Sequence, residues 1–80
     1  MLFEIGKLYR YTCVWSTGLY HSPHEIGFFN KIRQGEMFVI LEQKNISTHM
    51  HYRVLTTKGD IGWITPGTAY IQPVENNEVT

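Results

Sequence analysis

Apolar and polar side chains alternate along residues 49–57. Met50, Tyr52 and Val54 fall on one face, and His49, His51 and Arg53 on the other. A period of two predicts a β-strand over His49–Thr57 with one face toward a core. Upstream, Met37–Gln43 is apolar at both parities, with Phe38 and Ile40 on one side and Met37, Val39 and Leu41 on the other. That pattern predicts a strand buried on both faces. Leu8–Trp15, Ile61–Thr65 and Tyr70–Val74 complete a set of five strands rich in Tyr, Ile, Val and Thr. The turn Lys58-Gly59-Asp60 reverses the chain, Gly59 supplying a positive φ. One round of 3₁₀ helix is expected at Pro66–Ala69. No stretch of helix length has an apolar period of 3.6 residues. Ser16–Ile32 is too long for a tight turn and reads as a large excursion loop or an irregular hairpin.

Composition narrows the picture. Eighty residues make one small all-β domain, expected over residues 1–74, followed by a flexible polar tail at 75–80. Seven basic and seven acidic side chains cancel, which argues against affinity based on bulk attraction to nucleic acid or anionic lipid. Cys13 is the sole cysteine, so no intrachain disulfide forms. Apolar runs such as Met37–Leu41 are too short to span a membrane, and MLFEIGKLYR does not read as an export signal. The expectation is a cytoplasmic protein without membrane contact.

The strand order and four short motifs together resemble the Src-homology-3 (SH3-like) family. Leu8-Tyr9-Arg10-Tyr11 stands where that family has Ala-Leu-Tyr-Asp-Tyr, with Lys7 in the alanine position. Ile32–Glu36 followed by Met37–Leu41 is similar to its diverging turn and second strand. Gly59–Ile64 resembles the distal hairpin and the Gly-Trp-Val signature of bacterial-type domains, and Pro66–Ile71 stands where the family has Pro-Ser-Asn-Tyr-Val. The resemblance implies a single SH3-like five-stranded, partly open barrel with a long loop after the first strand. It also implies a groove lined by Tyr9, Tyr11, Pro66 and Tyr70, flanked by the long loop and the start of the third strand. Two departures bear on function. His49-Met50-His51-Tyr52 replaces the family's paired tryptophans, and the long loop carries His21 and His24 with Glu25 as its one acid. The central aromatic ridge and the carboxylates that pair with a ligand arginine are therefore missing.

Candidate chemistry follows from these residues. Tyrosines offer apolar faces with polar tips, which suits an extended peptide; the competing expectation is that they cap the core. His21 with His24 and His49 with His51 form two pairs that the resembled fold brings to one groove, where they act as solvated imidazoles titrating near neutral pH rather than as zinc ligands. Phe28 and Phe29 are expected to be buried as the loop folds over the barrel, and Trp63 to pack in it. Ser22 beside His21 and His24 is the best nucleophile–base pair available and lacks any motif spacing.

The resulting expectation is a non-catalytic module with no cofactor and no metal. It recognises a protein or extended peptide partner through Tyr9, Tyr11, Pro66, Tyr70, His49 and His51. The alternatives are a small barrel binding single-stranded nucleic acid and a cell-wall-binding domain of bacterial type. The small size is similar to that of accessory proteins encoded by bacterial viruses. Open sheet edges fit a monomer or a weak homodimer.

Overall fold

The computed structural model of the chain describes residues 3–24 and 26–74; the expected tail at 75–80 lies outside them. Among the described residues seven strands are formed: β1 (Leu8–Tyr11), β2 (Thr17–Leu19), β3 (Asn30–Ile32), β4 (Met37–Ile46), β5 (His49–Thr56), β6 (Ile61–Ile64) and β7 (Ile71–Pro73). A 3₁₀ turn, Thr68–Tyr70, precedes β7. The all-β class expected from the sequence is what the chain adopts, and no helix among the described residues is long and apolar enough to cross a membrane.

Five strands form one antiparallel sheet in the order β6-β5-β4-β1-β7, and β2 pairs with β3 in a second. The large sheet does not close on itself. Its β6 edge is instead hooked to the β2–β3 hairpin by a bridge between Tyr20 and Trp63, with paired N–H···O bonds of 2.9 and 2.7 Å. The segment 16–32, read as a loop or an irregular hairpin, is thus built around a short hairpin. A second tie runs from Asn30 Nδ2 to Asp60 Oδ2 at 2.7 Å, fastening β3 to the β5–β6 turn. Gly59 in that turn has φ of 94°, as its place in the sequence requires.

Several boundaries differ from the sequence reading. The first strand ends at Tyr11, not Trp15, because the chain folds back there: the Tyr11 hydroxyl donates to the Trp15 carbonyl at 2.7 Å, and Thr12 N–H bonds Tyr70 O at 2.9 Å. Val14 and Trp15 are left in solvent, Trp15 being 77% exposed. β4 runs on through Lys44–Ile46, and the reversal is a two-residue turn at Ser47 and Thr48 with φ of 50° and 65°. The 3₁₀ turn begins two residues later than expected and ends one later.

The core gathers Phe3, Tyr9, Phe38, Ile40, Tyr52 and Val54 with the inner residues of the hairpin, Leu19 and Ile32. Its aromatic centre is edge-on: Phe3 meets Tyr9 at 5.1 Å and Tyr52 at 5.5 Å between ring centroids. The expected burial of β4 on both faces is corrected. Phe38 and Ile40 are fully buried, but Met37, Val39 and Leu41 are only half-buried. The sheet register places Leu8, Val39, Leu55 and Ile61 in one row across four strands, so these aliphatic groups shelter one another on the outer face. The turn before β4 is held by Glu36, whose carboxylate accepts the Arg33 N–H at 2.7 Å and pairs with Lys58. The bond to Lys58, and next the backbone bond, hold that carboxyl below its usual range.

Candidate functional site

A groove forms where β5 outruns β6. The β5–β6 register ends at Tyr52 opposite Ile64, yet β5 continues back to His49. Continued by two residues, the same register would set Met50 opposite Pro66. Proline has no N–H to give to a ladder, so a rung there would lack one of its two hydrogen bonds. The chain instead turns away through Thr65, Pro66 and Gly67 and leaves an open groove of about 560 Å³. Its walls are Thr48–Tyr52 on one side and Thr65–Gly67 on the other.

The alternation of antiparallel hydrogen bonds fixes which backbone groups face this space. Thr57 N–H bonds Met37 O on the β4 side, whereas Thr56 N–H bonds Asp60 O on the β6 side. Stepping back by twos from Thr56, the main-chain groups of Val54, Tyr52 and Met50 turn toward β6. Val54 and Tyr52 meet Gly62 and Ile64 there. The N–H and C=O of Met50 point into the groove, while its side chain packs on the core.

Three of the six residues assigned to a partner surface line the groove directly: His49, His51 and Pro66. Tyr70 is 45% exposed and borders it, because its ring carbons lie 3.3 Å from where a Cβ on Gly67 would stand. Tyr9 and Tyr11 do not join them. Both rings are buried in the core, and the expectation that Tyr9, Tyr11 and Tyr70 share one partly exposed surface is corrected accordingly. Each phenol is satisfied internally: Tyr9 accepts the Glu4 N–H at 2.8 Å, and Tyr11 donates to Trp15 O. Burial, then the neighbouring Cys13, pushes the Tyr11 phenol up to about 12. Met50, Thr65 and Gly67 were missed. The signal that finds them is Pro66 standing where a ladder residue is needed.

The histidines divide. His51 lies between the main groove and a smaller one of about 160 Å³ lined by Tyr20, Pro23, Trp63 and Thr65. Burial first, then His49 and His24 nearby, lower its pKa below the ordinary imidazole value. His49 and His24 therefore both lie within electrostatic reach of His51. His21 is elsewhere, stacked on Phe29 with ring centroids 3.9 Å apart and planes 9° from parallel. Among the described residues no three His, Cys, Asp or Glu side chains converge as a metal site. Ser22 Oγ accepts the His24 backbone N–H at 3.3 Å.

The hairpin tip differs from expectation. Phe28 and Phe29 are not buried; they are 51% and 39% exposed. Tyr20 covers one side of Phe28 edge-on at 6.3 Å, and Lys31 Nζ sits 5.2 Å from its ring centroid. Short-range partners on the hairpin itself take the place of burial against the sheet.

The chain matches no protein-family model, and neither a curated protein nor a solved structure shows significant similarity to it.

Proposed function

We propose that the chain is a non-catalytic binding module that takes up an extended segment of a protein partner in the groove between β5 and Thr65–Gly67. One observation carries this reading: the β5–β6 ladder stops at Tyr52 while β5 runs on to His49, leaving an open groove beside a free strand edge. A concave strip with apolar walls, a few polar tips and an unpaired main chain suits an extended peptide. The strand order β6-β5-β4-β1-β7, with the hairpin hooked to β6, is in keeping with an SH3-like, partly open small barrel. In that architecture the long first loop and the start of the third long strand flank a binding groove.

A second reading is a binder of single-stranded nucleic acid. Its support is the exposed Phe28 and Phe29 beside Lys31 and His21, an aromatic and basic tip on which bases would stack. Against it, Lys7, Arg53 and Lys58 are each paired with a carboxylate, which lowers the local positive field.

The experiment is selection of binders from a display library of random ten-residue peptides, in parallel with titration of oligothymidine. Selected peptides are expected to lose at least roughly tenfold in affinity on Thr65→Arg, which fills the groove, and to be indifferent to Phe28→Ser at the hairpin tip. Sensitivity to Phe28→Ser alone, or tight binding of oligothymidine without any peptide binder, overturns the proposal.

A further inference from the structure

We infer that the occupant of this groove is an extended acidic segment that adds to the free edge of β5 as a further strand, with an acidic side chain on each side of the residue facing Met50. The inference rests on the binding reading above and goes on to specify the ligand.

The backbone supplies the first argument. Met50 directs its N–H and C=O to the groove, and Pro66, the residue the register would set opposite, cannot donate to it. An incoming strand satisfies both groups at once, which is how edge strands recruit extended peptides. The two-residue turn at Ser47 and Thr48 closes the β4–β5 hairpin just beyond, so the free edge is short and offers one complete rung.

The side chains supply the second. On a strand, His49 and His51 share the face opposite to Met50. The residues that precede and follow the one paired with Met50 on an added strand project to that same face, next to the two imidazoles. Among the described residues the groove wall holds no carboxylate. The described groups around His51 are predominantly basic: His49 on its own strand, Lys44 opposite it on β4, and His24 from the hairpin side. Arg53, two residues along β5, is engaged by Glu42 of β4 at 3.1 Å, and Tyr20 supplies a phenol across the smaller groove. A carboxylate beside His49 and His51 therefore meets cationic or protonatable partners, whereas a lysine there meets like charge.

Protonation follows from this arrangement. Free His51 resists protonation because of burial and its two neighbouring imidazoles. A bound carboxylate favours the charged form, so complex formation takes up protons and tightens as pH falls through the imidazole range.

The test uses the full chain, isotope-labelled, and three blocked peptides: Thr-Glu-Val-Glu-Thr, its analogue with both Glu changed to Lys, and the Glu peptide N-methylated at Val. The Glu peptide is expected to shift the amide of Met50 and the ring signals of His49 and His51. Its binding should be several-fold tighter at pH 6 than at pH 8, and about tenfold weaker when N-methylated. The variant His49→Gln/His51→Gln should flatten the pH dependence while Met50 still shifts. Equal or tighter binding of the Lys peptide overturns the acidic assignment. So does an N-methylated peptide as strong as its parent, which removes strand addition. If these peptides leave the groove signals unmoved while library-selected peptides shift them, the inference fails and the binding reading stands. If no peptide of either kind shifts them, both fail.

Discussion

Gly62 of β6 and Leu19 of β2 occupy one space between them: a Cβ placed on Gly62 would stand 2.7 Å from Leu19 Cγ and 2.8 Å from the Tyr20 carbonyl oxygen. Leu19 is fully buried, and the Tyr20–Trp63 bridge forms beside this close approach. The absence of a side chain at one position is what lets the hairpin dock on the sheet edge. Gly62→Ala is expected to destabilise by roughly 1–3 kcal/mol through overpacking. Denaturant unfolding measures it, and an unmoved midpoint would show that the hairpin does not rest on Gly62.

The two tryptophans should behave oppositely. Trp63 is largely buried where it lines the smaller groove with Tyr20, Pro23 and His51, while Trp15 stands in solvent. Trp63→Ala should cost about 3–5 kcal/mol, and Trp15→Ala should stay within about 0.5 kcal/mol of the parent. Similar losses for both would contradict the turn that takes Trp15 away from the core.

Tyr11 governs an alkaline transition. Its phenol is raised to about 12 in the folded chain, against about 10 when unfolded. A group whose folded pKa is raised contributes stability that is fully present below the unfolded value and is lost as pH climbs toward the folded one. The chain should therefore lose stability between about pH 10 and 12. Tyr11→Phe, which removes the bond to Trp15 O, should cost about 1 kcal/mol near neutrality and blunt that loss. Phenolate absorbance followed together with circular dichroism checks both.

Thr48 holds φ at 65°, a region that β-branched residues disfavour. Thr48→Gly should relieve this and raise stability by about 1 kcal/mol, read in thermal unfolding. A loss of stability would mean that contacts of the threonine side chain outweigh the backbone strain.

Much of this fold is legible in the sequence because period-two patterning decides it. The inner faces of β4 and β5 follow from Phe38, Ile40, Tyr52 and Val54. The fate of 16–32 was less legible: β2 and β3 have three residues each, too few to show a period, and what docks them is a missing side chain at Gly62. Phe28 and Phe29 illustrate the same limit, since their partners Tyr20 and His21 lie eight residues away on the facing arm of the hairpin. At the candidate site, His49, His51 and Pro66 were readable as neighbours. Tyr9 and Tyr11 were not separable from surface tyrosines by type alone, because a tyrosine whose hydroxyl finds a backbone partner buries as readily as it lines a groove.

The central claim is that the open edge of β5 is the binding surface. Amide shift mapping with the tightest peptide from the display selection tests it most directly. The predicted result is a contiguous set of shifts over His49–Tyr52 and Thr65–Gly67, with Tyr70 at its border and the hairpin tip unchanged. Shifts centred on Phe28, Phe29 and Lys31, with His49–Tyr52 silent, would contradict the account.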